Sequence, residues 1–292
     1  MFKERVIEIT FSFNDGSQPI VINSDIETVT FAGFRSRVSV EKVQGGLQGA
    51  AEGTIHGINE DIANRLTSIG YIRALNKQNG VKIAAGAKGE TLSLIYEGYI
   101  DQCWYTINQP TLELHFISFS ALQVALECVG ATSYKGDTSV SLVLKDLSKE
   151  AGLNYIELTP VNKVIDSPYL DGSTWDKIKK IANSTKTGYR LEGKNLIVFD
   201  ENKTFKKEPD KTISKDSGLI GYPSLSSNGL HFKTLFDPSI YILEPVKFDS
   251  SMKVLNGSKW NPTKIFHELE SNTPGGEWFT YIDADKMGVE LS

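Results

Sequence analysis

From residue 6 the chain alternates. Ile7, Ile9, Phe11 and Phe13 are separated by Glu8, Thr10 and Ser12, which is the period of a strand with one buried face. The run Asn14-Asp15-Gly16 then supplies a turn. Runs of the same character follow at 26–31, 37–43, 51–58, 81–85, 92–100 and 112–117, several of them parted by glycine turns. Many short antiparallel strands joined this way predict a barrel or sandwich. The pattern breaks at 59–69, where Ile62, Leu66 and Ile69 share a helical face. Asn59 stands as N-cap and Gly70 is placed to end the helix.

Near Gly136 the period changes. Val140, Val143, Leu144 and Leu147 predict a helix over 139–150, with Gly152 just beyond its end and a strand at 153–158. A second helix starts at Ser173, where Asp176 three residues on completes a capping box. Its buried face is Trp175, Ile178, Ile181 and Ala182, and Gly188 is expected to close it. Strands at 189–191 and 196–199 then form a hairpin around Glu192-Gly193-Lys194-Asn195. Residues 202–216 read as a charged linker. Strand character returns at 219–225, 229–236, 240–248, 263–269 and 278–283.

The expected fold is therefore mainly β, with two antiparallel β-barrel domains flanking a small α+β domain. Its predicted boundaries are 1–132, 133–202 and 203–292, the last including the linker. The length of 292 residues by itself suggests about two domains, large enough to need no disulfides or metals.

Composition narrows the functions open to such a chain. The net charge is −5, and the densest basic stretch, Lys203, Lys206, Lys207, Lys211 and Lys215, is diluted by Glu201, Glu208, Asp210 and Asp216. That is no footprint for sequence-specific nucleic-acid binding. No apolar run approaches the length of a membrane span and no leader is visible, so no membrane anchor is expected and synthesis is placed in a cytoplasm. Cys103 and Cys128 sit among apolar residues outside any C-x-x-C and read as reduced, buried thiols.

The residues offer little chemistry. The four histidines, His56, His115, His231 and His267, have no metal-ligand spacing between them. There is no G-x-S-x-G elbow, no P-loop and no G-x-G-x-x-G. The glycine-containing run 84–89 reads as a hairpin turn, and Asp283-Ala-Asp285 is too short for a calcium loop. Trp104-Tyr105 and Trp278-Phe279 have the aromatic surface to stack on sugars or bases, though core or interface roles are commoner. His267 is expected to satisfy a strand hydrogen bond and Trp278 to pack the core of the second barrel. No catalytic, cofactor-binding or metal-binding residue is predicted, no cofactor is implied, and the chain is expected not to be an enzyme.

Several segments, taken together, resemble the phage baseplate hub proteins of contractile tails. They are Thr54–Ile58, Leu66-Thr67, Asn79–Gly86 and Leu94–Ile100, then Ser133–Gly136, Val143-Leu144 and Ala151–Leu153, and finally Gly221–Ser224, Leu235–Pro238, Ile265–His267 and Pro274–Thr280. The resemblance implies that the two β domains are tube-like and that the chain is a structural subunit of the virion, located in the tail baseplate. It further implies a homotrimer joining the tail tube protein to the central spike protein and adapting sixfold to threefold symmetry around the channel used for DNA ejection. The tape measure and baseplate wedge proteins would be further partners. A tail-associated peptidoglycan hydrolase and a glycan-binding baseplate module are the alternatives.

Overall fold

A computed structural model of the protein describes residues 4–13, 27–44, 49–67, 79–108, 111–120, 122–126, 129–200, 211–226 and 229–286. The expected turn at 14–16, Gly70, Cys128 and the lysines at 203, 206 and 207 lie outside these residues.

The N-terminal region contains β1 (Arg5–Ser12), β2 (Thr28–Ala32), β3 (Ser36–Val43), β4 (Ala50–His56), helix α1 (Glu60–Leu66), β5 (Gly80–Ala87), β6 (Ser93–Asn108) and β7 (Thr111–Phe119). The alternation of β1 places Ile7, Ile9 and Phe11 in the core. There Phe11 meets Phe31 and Phe116 edge-on at 6.0 and 5.5 Å. Phe116 lies flat over Gly53, where an added Cβ would come within 2.3 Å of the ring. Helix α1 starts as predicted, with the Asn59 side chain accepting from the Asp61 backbone N–H at 2.8 Å. It buries Ala63 and Leu66 against the same core.

The middle region contains α2 (Leu122–Leu126), β8 (Thr132–Ser133), β9 (Asp137–Ser139), α3 (Val140–Glu150), β10 (Asn154–Glu157), β11 (Val164–Asp166), β12 (Tyr169–Leu170), α4 (Thr174–Thr185), β13 (Thr187–Glu192) and β14 (Asn195–Asp200). Helices α3 and α4 pack on a small sheet of order β10-β14-β13. The capping box at Ser173 and Asp176 forms in both directions. Lys177 is fully buried on α4, and its ammonium donates to the Gly130 carbonyl at 2.6 Å and to Thr132 Oγ1 at 2.9 Å. That pairing is what a buried cation requires.

Gly188 does not close α4. The helix ends at Lys186, which adopts the left-handed conformation with φ 49°. Gly188 lies inside β13, where its missing Cβ makes room for Phe199, whose ring atoms would be 2.1 Å from one. Both glycines, 53 and 188, answer to the close approach of a ring rather than to a turn.

The C-terminal region contains β15 (Lys211–Ile213), β16 (Leu219–Ser226), β17 (Gly229–Leu235), β18 (Val246–Phe248), β19 (Lys259–Ser271) and β20 (Trp278–Lys286). Two expectations need correction here. The 202–216 stretch is not all linker, because β15 pairs in parallel with β18 and buries Ile213. The 240–248 run is strand only over its last three residues. Ile240, Ile242 and Leu243 are buried in turns instead, with Leu243 at φ 65° and Pro245 breaking any ladder.

The two β-rich regions share one sheet of 13 strands, whose main path runs β16-β17-β20-β19-β3-β4-β7-β6-β5-β1-β2. The mainly β class with an α+β insert holds. Among the described residues the path is open, with β16 at one end and β2 at the other, and no ladder closes either region into a ring. The join is β3 on β19, antiparallel from Ser36↔Ser271 to Val43↔Lys264. Three buried clusters underlie this layout. The first is centred on β1, β3–β7 and α1, the second on α3 and α4, and the third on β15–β20. No helix among the described residues is long and apolar enough to cross a membrane.

Candidate assembly surface

The continuous sheet has one apolar and one polar face. Directly paired residues in a sheet point the same way. Val40, His267 and Thr280 therefore form a row across the join, and all three are buried. The neighbouring row on the opposite face reads Glu52, Ser39, Glu268 and Phe279. The next reads Trp104, His115, Thr54 and Arg37. The polar face thus runs without a break from one β region into the other. Among the described residues that these registers place on it, the acids Glu8, Glu41, Glu52, Glu97, Glu113, Glu268, Glu270 and Asp283 outnumber Arg37, Lys82, Lys233 and Lys264.

Both faces fasten the join. On the polar side Arg37 reaches Glu268 at 2.8 Å and Glu270 at 3.5 Å, and Lys264 reaches Glu41 at 3.2 Å. Beneath them Leu269 and Trp278 enter the N-terminal core. Arg5 lies over the Trp278 ring at 5.6 Å and donates to the Gly276 carbonyl at 2.7 Å. Ser271 and Asn272 donate to the carbonyls of Phe34 and Gly33.

The residues singled out from sequence do not converge on one pocket. His56 lies 3.3 Å from Glu113 on the polar face. His115 bonds Thr54 at 3.1 Å and Thr106 at 3.2 Å, and it stacks on Trp104 with centroids 5.4 Å apart. His267 is fully buried, with Nδ1 bonded to Thr280 Oγ1 at 2.9 Å and Phe236 edge-on at 5.4 Å. Burial, reinforced by Lys42 and opposed by Asp237, pushes its pKa down to about 3. Trp278 is buried as expected but packs the N-terminal core and not that of the C-terminal region, because it sits on the strand beyond the β3–β19 join, while Phe279 lies on the polar face with the Lys233 ammonium 3.6 Å above its ring. Cys103 is a buried thiol whose pKa burial pushes up to about 12, which disfavours the thiolate form. Residues 84–89 end β5 and form the expected hairpin turn, with Gly89 at φ 83°.

One arrangement escaped the motif search. Ser226 Oγ lies 3.2 Å from His231 Nε2, and His231 Nδ1 lies 2.5 Å from Asp283 Oδ1. These are the contacts of a Ser-His-Asp triad. The set sits where β16 passes into β17, beside the Ser226–Gly229 pair, with the His231 and Asp283 side chains 44% and 42% exposed. The Gly229 carbonyl also lies 3.4 Å from the Ser226 hydroxyl. Such an open surface neither excludes water nor frames an oxyanion. Only the cross-strand register brings these residues together, so no linear motif reveals them.

A sheet passing from one β region into another around an α+β insert is a fold shared with solved phage tail proteins. The crystal structure of the 43 kDa tail protein of prophage MuSo2 from Shewanella oneidensis is similar over 98% of this chain and 97% of its own, with a TM-score of 0.64 at 8% identity. The tail protein from Neisseria meningitidis MC58 matches over 96% and 97%, with a TM-score of 0.64 at 9% identity. The E. coli c3393 protein, described as a component of the type VI secretion system with structural similarity to the T4 tail proteins gp27 and gp5, matches over 87% and 74%, with a TM-score of 0.57 at 10% identity. No curated protein matches the chain. A profile of the family described as baseplate hub gp41 matches residues 6–280, and the chain belongs to that family.

Proposed function

We propose that this protein is the hub subunit joining the tail tube to the central spike, acting as a homotrimer without catalytic activity of its own. Each chain carries two β regions, so three chains present six similar units to a sixfold tube while keeping threefold symmetry for the spike. The observation that carries this reading is the single sheet spanning both regions, with the polar face continuous across the β3–β19 join. In this reading that face lines the channel, and its acidic excess keeps a polyanion from adhering. The division into N-terminal, middle and C-terminal units belongs to the same reading and draws support from the three buried clusters. The tape measure and wedge proteins would contact the outside of this ring.

The open ends at β2 and β16 suit a closed cyclic assembly, in which the β16 edge of one subunit meets the β2 side of the next. Tyr222 and Leu225 on β16 are 72% and 46% exposed, as an unfilled contact would be. The test is the mass of the purified chain, alone and mixed with tube and spike proteins. Three chains of 32.3 kDa give about 97 kDa. A 32.3 kDa monomer under every condition would overturn the reading.

A further inference from the structure

A cavity of about 490 Å³ lies where the three regions meet. It is bounded by β3, β5 and β6 of the N-terminal region, by the β13–β14 hairpin of the middle region and by the loop at Tyr241 and Ile242. This volume is in the range of small-molecule sites.

The polar groups on its walls are unevenly matched. Each of the three acids has a cation: Glu41 pairs with Lys264 at 3.2 Å, Glu97 with Lys82 at 3.4 Å and Glu192 with Arg190 at 3.2 Å. The groups left over are donors. Lys42 and Lys194 make no side-chain ion pair or hydrogen bond among the described residues. Arg190 Nε and Ser120 Oγ are buried with no partner among the described residues. Arg190 is fixed by its other nitrogens, on the Ile242 carbonyl and on Glu192, so its Nε–H is held in place. Burial holds the Lys42 ammonium below its ordinary pKa, with Glu192 opposing and Arg190 reinforcing the shift. Desolvated donors without acceptors cost free energy that an anion would relieve. The remaining wall is apolar: Ile95, Leu191 and Ile242 line it, with Leu94 and Tyr241 56% and 42% exposed.

We propose that this cavity binds a small organic carboxylate with an apolar body, its acid group received by Lys42, Arg190 Nε and Ser120 and its body lying against Leu94, Ile95 and Tyr241. Contacts from all three regions would make the bound acid a clamp on their arrangement. This inference does not depend on trimer formation.

The test is calorimetric titration of the full chain with octanoate, acetate and inorganic phosphate. Octanoate is expected to bind at least about tenfold more tightly than acetate, because only it covers the apolar wall. Phosphate is expected to show no binding. Lys42→Met should abolish octanoate binding and Lys42→Arg should retain it. Failure of octanoate to bind the wild-type chain would overturn the proposal. So would phosphate binding as well as octanoate, which would mark adventitious attraction to exposed cations, or equal binding by Lys42→Met. Should Lys42→Met fail to fold, the comparison of octanoate with acetate on the wild-type chain decides the matter alone.

Discussion

Replacing His267 by Asn tests the central seam of the sheet. His267 lies on β19 between Val40 of β3 and Thr280 of β20. It is fully buried, and its pKa is pushed from 6.5 to about 3. The folded state therefore holds the ring neutral, while the unfolded chain takes up a proton as pH falls through 6.5. The unfolded state binds more protons throughout this window, so stability is complete above 6.5 and is lost progressively down to about 3. At about 1.4 kcal/mol per pH unit the whole interval is worth about 5 kcal/mol. Between 6.5 and about 5, above the range where most carboxylates titrate, the loss is about 2 kcal/mol. Asn cannot titrate, yet it can keep a hydrogen bond to Thr280. The variant should lose about 1–3 kcal/mol at neutral pH from the volume removed. Its further loss on acidification should be about 2 kcal/mol smaller than that of the wild type. Denaturant unfolding at several pH values measures both quantities, and taking the difference cancels the other three histidines. Parallel pH profiles for the two proteins would refute the assignment of a neutral, buried His267.

Four further outcomes follow from the contacts already described. Gly188→Ala should destabilise by about 1–3 kcal/mol in denaturant unfolding, because the new Cβ would lie 2.1 Å from the Phe199 ring. Trp278→Ala should cost about 3–5 kcal/mol, since the indole closes the core under the join. Arg37→Ala should cost less than about 1 kcal/mol in the same assay, because its two ion pairs cross the join on the exposed face with Arg37 58% accessible. Ser173→Ala should remove the capping box of α4 and cost about 1 kcal/mol, read as a shift in the unfolding midpoint without a change in slope.

Local structure was well expressed in the sequence where one signal governs it. The alternation of Ile7, Ile9 and Phe11 placed β1 with the right face buried. The Asn59 and Ser173 caps fixed the starts of α1 and α4. Local signals failed where tertiary packing decides. Gly188 looked like a helix stop, but space for Phe199 is what requires a glycine there. Ile240, Ile242 and Leu243 looked like a strand because buried turns need apolar residues too. The β3–β19 join pairs Ser36 with Ser271, and no local pattern encodes a partner so distant. The same limit hid the cavity, whose Lys42, Ser120 and Arg190 come from three separate stretches.

The placement of the join bears on the ring proposed above. Within a chain the β3–β19 ladder is backed by a shared core through Leu269 and Trp278 and by the Arg5 and Ser271 contacts. That seam is built like a domain interior, so the two β regions should move as one body. Between chains, in the proposed ring, only strand edges and scattered exposed apolar residues such as Tyr222 and Leu225 are available. Edge contacts of that kind tolerate small changes of angle at lower cost than a packed core does. Stiffness within each pair of units and give between pairs would let six similar units meet a sixfold tube on one side while retaining a threefold pattern on the other. The α+β insert leaves and re-enters the chain between β7 and β15, so it can carry partner contacts without interrupting the β3–β19 ladder.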